Sequence, residues 1–318
     1  MNLTNQPKEN NMDSASNVQQ KVQIVVEKPS GFEKRSTFAI LVMPLAGSLI
    51  LWTMMKKGVY KLFGLGTPST NSLWFDGLGK KSRELKDHQA SWRALHIIYN
   101  WSEVDSIPGV AGFVDRFWWI NTTNGRAVRN RLKIAKRELR KEILARPEQE
   151  VRVMSLAAGT AQGVIEVLTE LKREGKIVKS LLVDIDPTAL DYAKNLAEKH
   201  GVGDQVETMQ LNAMLAARAA KHFRPVIIEM MGLLDYLPQE QAVRLADSIR
   251  RCLPGGGVFI TCNIYPNIER HFMKWVINWP MIYRTREHLA DVAVSGKFSR
   301  CTVFEEPIQL HGVLVARV

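Results

Sequence analysis

The sequence predicts an α/β protein: a doubly wound, largely parallel sheet that ends in an antiparallel hairpin and follows a mainly helical N-terminal region. Three observations predict it. From Val151 onward, apolar β-type runs alternate with helical patterns, the signature of strand–helix–strand units. The first run meets a small-residue turn before its helix, in "VRVMSLAAGTAQGVIEVL" (151–168). The tail "CTVFEEPIQLHGVLVARV" (301–318) reads as two strands joined by a short turn. With 318 residues, 46% of them hydrophobic, the chain has material for one large core or two small ones.

Residues 1–36 are expected to be a disordered polar tail, rich in Asn, Gln, Ser and Lys, and no apolar run follows Met1 closely enough for a signal peptide. The segment 37–57 is apolar, with no charge from Phe38 to Met55. Lys34 and Arg35 flank one end, Lys56, Lys57 and Lys61 the other, and Trp52 sits near a boundary. That length is the lower limit for a bilayer-crossing helix. The segment reads equally as a buried helix, or a hairpin broken at Pro44 and Gly47. If it inserts, the Lys/Arg excess after it keeps the remainder on the cytoplasmic side. The expected location is therefore cytoplasmic, with membrane association through 38–55 left open.

Residues 58–148 form the helical region, entered through a turn-rich link at 62–75. In "RAVRNRLKIAKRELRKEIL" (126–144), Val128, Leu132, Ala135, Leu139 and Ile143 recur at helical intervals. The opposite side carries Arg126, Arg129, Arg131, Lys133, Lys136, Arg137, Arg140 and Lys141, expected as a solvated basic face. A docking surface for lipid headgroups or an acidic substrate is the sharper alternative. Residues 1–150 carry 23 Lys and Arg against 14 Asp and Glu, so the basic character of the chain belongs to this half.

The domain at 149–318 is expected to hold strands at 151–156, 178–184, 206–211, 225–230 and 257–262, with helices at 161–174, 187–200, 212–222, 238–252 and 267–277. Asp186 is placed to cap the second helix, with Pro187 in its first turn. Cys252, Cys262 and Cys301 are odd in number and lack C-x-x-C spacing, which predicts free, reduced thiols. No two histidines stand at H-x₃-H spacing, and no metal is expected.

In an open α/β sheet, ligands bind beyond the carboxyl ends of the strands. The turn Ser155–Gly163 has Gly159 as its point of close approach, but Ala157 and Ala161 stand where a dinucleotide loop has glycine. Asp184, at the end of the second strand, is placed to accept hydrogen bonds from ribose hydroxyls. Asn212, at the end of the third, is placed to reach an adenine edge. In this order and spacing the segment 149–318 resembles class I S-adenosylmethionine (SAM)-dependent methyltransferases, the turn matching as A-A-G-T-A. Ser155 and Asn212 stand where that family usually has acidic residues. The resemblance implies a Rossmann-like sheet, SAM as cofactor, and a cofactor set of Ser155, Ala157, Ala158, Gly159, Thr160, Asp184, Ile185, Asn212, Ala213 and Met230.

A narrower likeness lies in Gly232-Leu-Leu-Asp-Tyr-Leu237, Asn263 and Trp279-Pro-Met-Ile-Tyr-Arg-Thr285. These are similar to bacterial methyltransferases of 3-hydroxypalmitic acid methyl ester biosynthesis, with their G-L-F-D-Y-L and L-I-Y-R-T patterns. That likeness implies methylation of a fatty-acid carboxyl, with Asp235, Tyr236, Tyr283 and Arg284 lining the acceptor site. The expected partner is then a small hydrophobic or lipid-like substrate, with a membrane surface as a second candidate. No nucleic-acid partner is expected, because the basic face lacks the interleaved aromatics that stack on bases. A membrane-anchored scaffold with a degenerate SAM site and an RNA methyltransferase are the alternatives.

Overall fold

The computed structural model describes residues 22–36, 39–102 and 107–318. Eight strands form one sheet: β1 (Val22–Val26), β2 (Glu150–Leu156), β3 (Ile177–Asp184), β4 (Val206–Gln210), β5 (Ile227–Met230), β6 (Val258–Ile264), β7 (Arg300–Glu305) and β8 (His311–Arg317). Their order is β1-β7-β8-β6-β5-β2-β3-β4. Every pairing is parallel except those of β8, which is antiparallel to both β6 and β7. The expected hairpin is present, with its second strand inserted beside β6 rather than appended at the edge.

β1 corrects the expectation of a disordered tail. Val22 to Val26 pair in register with Cys301 to Glu305. The run "VQIVV" is rich in β-branched residues, and β7 presents an otherwise open edge for it to join. The rest of the expected tail, residues 1–21, lies outside the described residues.

Alternation along the strands feeds two apolar layers. Val151 and Val153 face one layer with Ile165 and Leu168, while Met154 and Leu156 face the other with Leu245, Ile249 and Leu289. The first layer is covered by α5 (Thr123–Leu144), α6 (Gln162–Arg173) and α7 (Pro187–Lys199). The second is covered by α8 (Ala216–Phe223), α9 (Gln239–Cys252) and α11 (Arg286–Ser295). A third cluster joins α1 (Ala39–Leu62), α3 (Trp92–Tyr99) and α4 (Gly109–Asn121) to α10 (Arg270–Trp275). The short α2 (Lys80–Asp87) completes this region, preceded by a π-helical turn at Leu73–Gly77. Asp76 anchors that turn, accepting from the Asn71 and Ser72 amides and pairing with buried Lys86 at 2.8 Å.

α1 is one continuous helix that carries Pro44 within it, not a broken hairpin. Among the described residues, no helix is long and apolar enough to cross a membrane. Ala46 and Leu49 pack inward, while Leu41, Leu51, Trp52, Met55 and Leu62 are exposed.

The solvated basic face expected on α5 is also corrected. Arg129 pairs with Glu33, Arg137 with Glu27, Lys136 with Glu166 and Arg140 with Glu174, each at 2.6 Å. Arg131 is fully buried. The segment after β1 crosses the helix and supplies Glu27 and Glu33, so the cations of α5 hold the tail down. The three cysteines are free, Cys262 and Cys301 buried.

Candidate active site

The turn after β2 is held in a demanding shape. Ala157, Gly159 and Ala161 all have positive φ, at 50°, 54° and 49°. An alanine in this left-handed region costs on the order of 1 kcal/mol, strain of the kind that concentrates at ligand-binding sites. Asp184, at the tip of β3, accepts from the Gly159 amide at 2.8 Å and the Asp186 amide at 2.9 Å. Each carboxylate oxygen keeps a second lone pair, which leaves capacity for two ligand hydroxyls. Asp186 caps α7 by accepting from the Thr188 amide at 2.9 Å, with Pro187 at the first position, as the sequence indicates.

α3 lies over this turn. A Cβ on Gly159 would stand 3.4 Å from the Trp92 Cβ. The Trp92 indole donates to Thr188 Oγ1 at 3.1 Å, and its ring centroid lies 4.9 Å from that of Tyr192. Asn100 and Gln162 exchange side-chain hydrogen bonds at 3.0 and 3.2 Å. The helical region thus roofs the turn with side chains that the strand–helix pattern could not place.

Beneath the roof is a cavity of about 410 Å³. It is lined by Ala157, Gly159, Asp184, Ile185 and Met231 of the cofactor turn and strand ends, by the apolar Trp118, Trp119, Ile98, Val128, Met273 and Trp279, and by the polar Arg131, Asp235, Asn124 and His311. A mostly apolar chamber with a few polar groups is the usual form of a small-molecule site. A second cavity of about 50 Å³ adjoins Ala158, Gly159, Thr160, Tyr99 and Glu229.

Arg131 links two of the polar groups near the cavity. Its Nη1 lies 3.6 Å from Asp235 Oδ2, and Nη2 donates to the Tyr99 hydroxyl at 3.3 Å. Asp235 also accepts from the Ile264 amide at 3.0 Å. Burial pushes the Asp235 carboxyl up to about 6, with the Arg131 charge opposing the rise. Burial likewise pushes Glu229 up to about 7, against the opposing pull of Ser155 and Arg131.

Of the expected cofactor set, the structure brings Ala157, Gly159, Asp184 and Ile185 to the large cavity, and Ala158 and Thr160 to the small one. Ser155 does not reach either. Its buried hydroxyl donates to Glu229 at 2.6 Å. Asn212 caps the short turn Ala213–Leu215 through the Met214 amide and is no part of the cavity wall, and neither is Ala213. Met230 is fully buried within β5; Met231, one residue on, lines both cavities.

Of the expected acceptor residues, Asp235 and Tyr236 line the cavity, and the Tyr236 hydroxyl accepts from the Trp279 indole at 2.6 Å. Arg284 and Tyr283 do not line it. Arg284 is buried and donates to Gln239 Oε1 at 2.7 Å, the Leu234 carbonyl at 2.6 Å, Asn263 Oδ1 at 2.5 Å and the Leu237 carbonyl. Asn263 in turn donates to the Ile282 carbonyl at 2.9 Å. These motif residues clamp the loop that presents Asp235 and Tyr236.

Trp92, Asn124, Arg131 and His311 were missed by sequence reading. For Arg131 a signal existed: it stands three residues after Val128 and four before Ala135, on the buried stripe itself. A charge on an apolar stripe marks a buried ion pair or a site. His311 carried no signal beyond opening a strand.

Residues 87–303 match the model of a family described as "Putative methyltransferase". A comparison with curated proteins finds no match. Among solved structures, the chain is similar to a "possible exported protein" from Bordetella parapertussis, at 15% identity over 88% of this chain and 96% of that one, with a TM-score of 0.65. It is also similar to the CurJ carbon methyltransferase, at 15% identity over 74% of this chain and 65% of that one, with a TM-score of 0.50. At such identities the two structures speak to the fold alone. The family match spans more than half of the chain, including the cofactor turn, Asp184 and the loop that presents Asp235, and on it this chain belongs to the methyltransferase family it names.

Proposed function

We propose that this protein transfers a methyl group from SAM to a small, apolar, lipid-like acceptor. The observation that carries the reading is the single cavity that joins the Gly159–Asp184 corner to the tryptophan-walled passage. The corner suits a nucleoside with an amino-acid tail: Asp184 takes the ribose hydroxyls, and Gly159 allows the backbone to approach. The passage suits an acceptor with an extended hydrocarbon body. Methyl transfer is an in-line displacement at the sulfonium, so the protein's work is to align the two ligands and exclude water. A fatty-acid carboxyl and other lipid head groups are acceptors of this class, in keeping with the likeness at 232–237 and 279–285.

Calorimetric titration of S-adenosylhomocysteine (SAH) and, separately, of NAD tests the reading. Micromolar binding of SAH alone is expected. Binding of NAD alone would reassign the cofactor, and binding of neither would favour a scaffold. Asp184→Ala is expected to weaken SAH binding by about 10²- to 10⁴-fold, the worth of two hydrogen bonds to a carboxylate. An unchanged affinity would remove Asp184 from the ribose role.

Access from a membrane surface belongs to the same proposal. α1 packs by Ala46 and Leu49 into the cluster that includes Trp118, Trp119 and Trp279, so its exposed Leu51, Trp52 and Met55 lie on the outside of the acceptor wall. Such an apolar strip with nearby lysines suits an interfacial contact. Co-sedimentation with anionic vesicles is expected for the wild type and reduced in Trp52→Glu; equal pelleting of both would dismiss the surface.

A further inference from the structure

β5 sends one carboxylate into the apolar layer beneath α5 and α6. Ile227 faces that layer with Val153. The period of two along a strand puts Glu229 on the same side, opposite Ser155 in the register of β2 and β5. Ile227, Ile228 and Met230 are 0% exposed, whereas Glu229 between them keeps accessible surface. Strands flank it on both sides, and Leu132 and Leu139 of α5 and Val164 of α6 lie above. That surface therefore belongs to the small cavity of about 50 Å³ beside the cofactor turn, whose wall includes Glu229.

The carboxylate is short of partners. Among the described residues it accepts from the Ser155 hydroxyl at 2.6 Å and enters no ion pair. The Arg131 charge acts on it from a distance, while the guanidinium itself contacts Asp235. Lys136, the other charged residue of the cavity wall, pairs with Glu166 at 2.6 Å. A carboxylate has about four lone-pair sites, so one hydroxyl leaves most of them unmet. Buried charges are paired as a rule, and this one is left facing a cavity.

We propose that Glu229 holds the α-ammonium of the cofactor and so selects adenosyl ligands that carry an amino-acid tail. This rests on the methyltransferase reading above and adds a specificity-determining residue to its cofactor site. Leu95, Ala157, Gly159 and Met231 wall both cavities, so a ligand with its ribose at Asp184 has a path past Gly159 toward Glu229. A cavity needs roughly 10–15 Å³ to hold one water. About 50 Å³ therefore takes a few groups of that size, which suits an amino-acid head and not a nucleoside. A metal ion is a poorer occupant, because among the described residues no three His, Cys, Asp or Glu side chains gather to ligate one. Ser155 stands behind the site: it reaches neither cavity, and its hydroxyl fixes the carboxylate that does.

Calorimetry with SAH and with its deamino analogue, in which hydrogen replaces the amino group, tests the assignment. SAH has no sulfonium, so this pair of ligands isolates the ammonium. Wild-type protein is expected to bind SAH about 10- to 100-fold more tightly than the analogue, the worth of one charge-assisted hydrogen bond. Glu229→Gln should weaken SAH by about that factor and leave the analogue within about 2-fold, so that the preference disappears. A merely structural role would weaken both ligands alike and leave the preference intact. Equal binding of the two ligands by wild-type protein overturns the proposal, as does a preference that survives in Glu229→Gln. Should that variant fail to fold, Glu229→Asp withdraws the charge by one methylene and is read the same way, with a reduced preference expected. Failure of both ligands to bind wild-type protein overturns the methyltransferase reading instead, a result distinct from a lost preference.

Discussion

Arg284→Ala is expected to destabilise the protein by about 3–5 kcal/mol, because buried neutral acceptors left without a donor cost about 1–3 kcal/mol each. Its guanidinium donates to the Leu234 and Leu237 carbonyls and holds the side chains of Gln239 and Asn263, so the truncation removes a donor from four acceptors at once. For a chain of this size, Tm should fall by about 4–8 °C. Lysine should not rescue it, because one ammonium on a flexible stem cannot reproduce a planar fork of donors aimed at four separate oxygens. Thermal unfolding of wild type, Arg284→Ala and Arg284→Lys checks this. If Tm holds within about 2 °C while only acceptor KM rises, Arg284 is a substrate contact after all, as the motif likeness implied. The residue makes the loop rigid, and the loop makes the site.

The second large effect is expected at Arg131. Methionine fills similar volume without charge, so Arg131→Met separates electrostatics from packing. Removing the guanidinium leaves Asp235 buried beside nothing of opposite sign within its present 3.6 Å contact. The cost should be about 3–5 kcal/mol at pH 8. Its pH dependence has a definite sign. Asp235 and Glu229 have folded-state values of about 6 and about 7, above their ordinary 3.8 and 4.5. Between the unfolded and folded values, the native protein holds protons that the unfolded chain has released. The stabilisation these groups contribute is therefore fully present below about pH 4 and is lost as pH rises through 6 and 7. Arg131 restrains both shifts, so its removal drives both carboxyls higher. Arg131→Met should accordingly be less destabilised at pH 5, where the carboxyls are neutral, than at pH 8. Urea unfolding at the two pH values measures this, and an equal loss at both would show that Arg131 acts through packing alone.

The order of strands and helices after residue 150 was legible because each element is long and strongly periodic, and because the turn chemistry at Gly159 and Asp186-Pro187 is local. Asp184 was legible for the same reason: a carboxylate at the tip of a parallel strand has its position set by the strand. Asn212 was not, because a side chain at a strand end can cap its own following turn, and here that local bond with Met214 wins. Ser155 was not either, because its hydroxyl is taken up by Glu229 of the neighbouring strand. The basic helix misled most. Its charge pattern is that of a solvated face, yet what covers it is the segment around Glu27 and Glu33, some hundred residues earlier in the chain.

By itself, then, the sequence determined the doubly wound sheet and the turn at its carboxyl edge, which follow from periodicities and turns that act over a few residues, while the class of chemistry came from the resemblance those motifs carry. Only the tertiary structure decided which distant residues share the cavity. Its lining draws Asn124 and Arg131 from α5, Asp235 from the loop after β5 and His311 from β8. Those residues are up to 187 positions apart, and no local rule relates them. What gathers them is the packing of α5, β8 and the loop after β5 around one cavity.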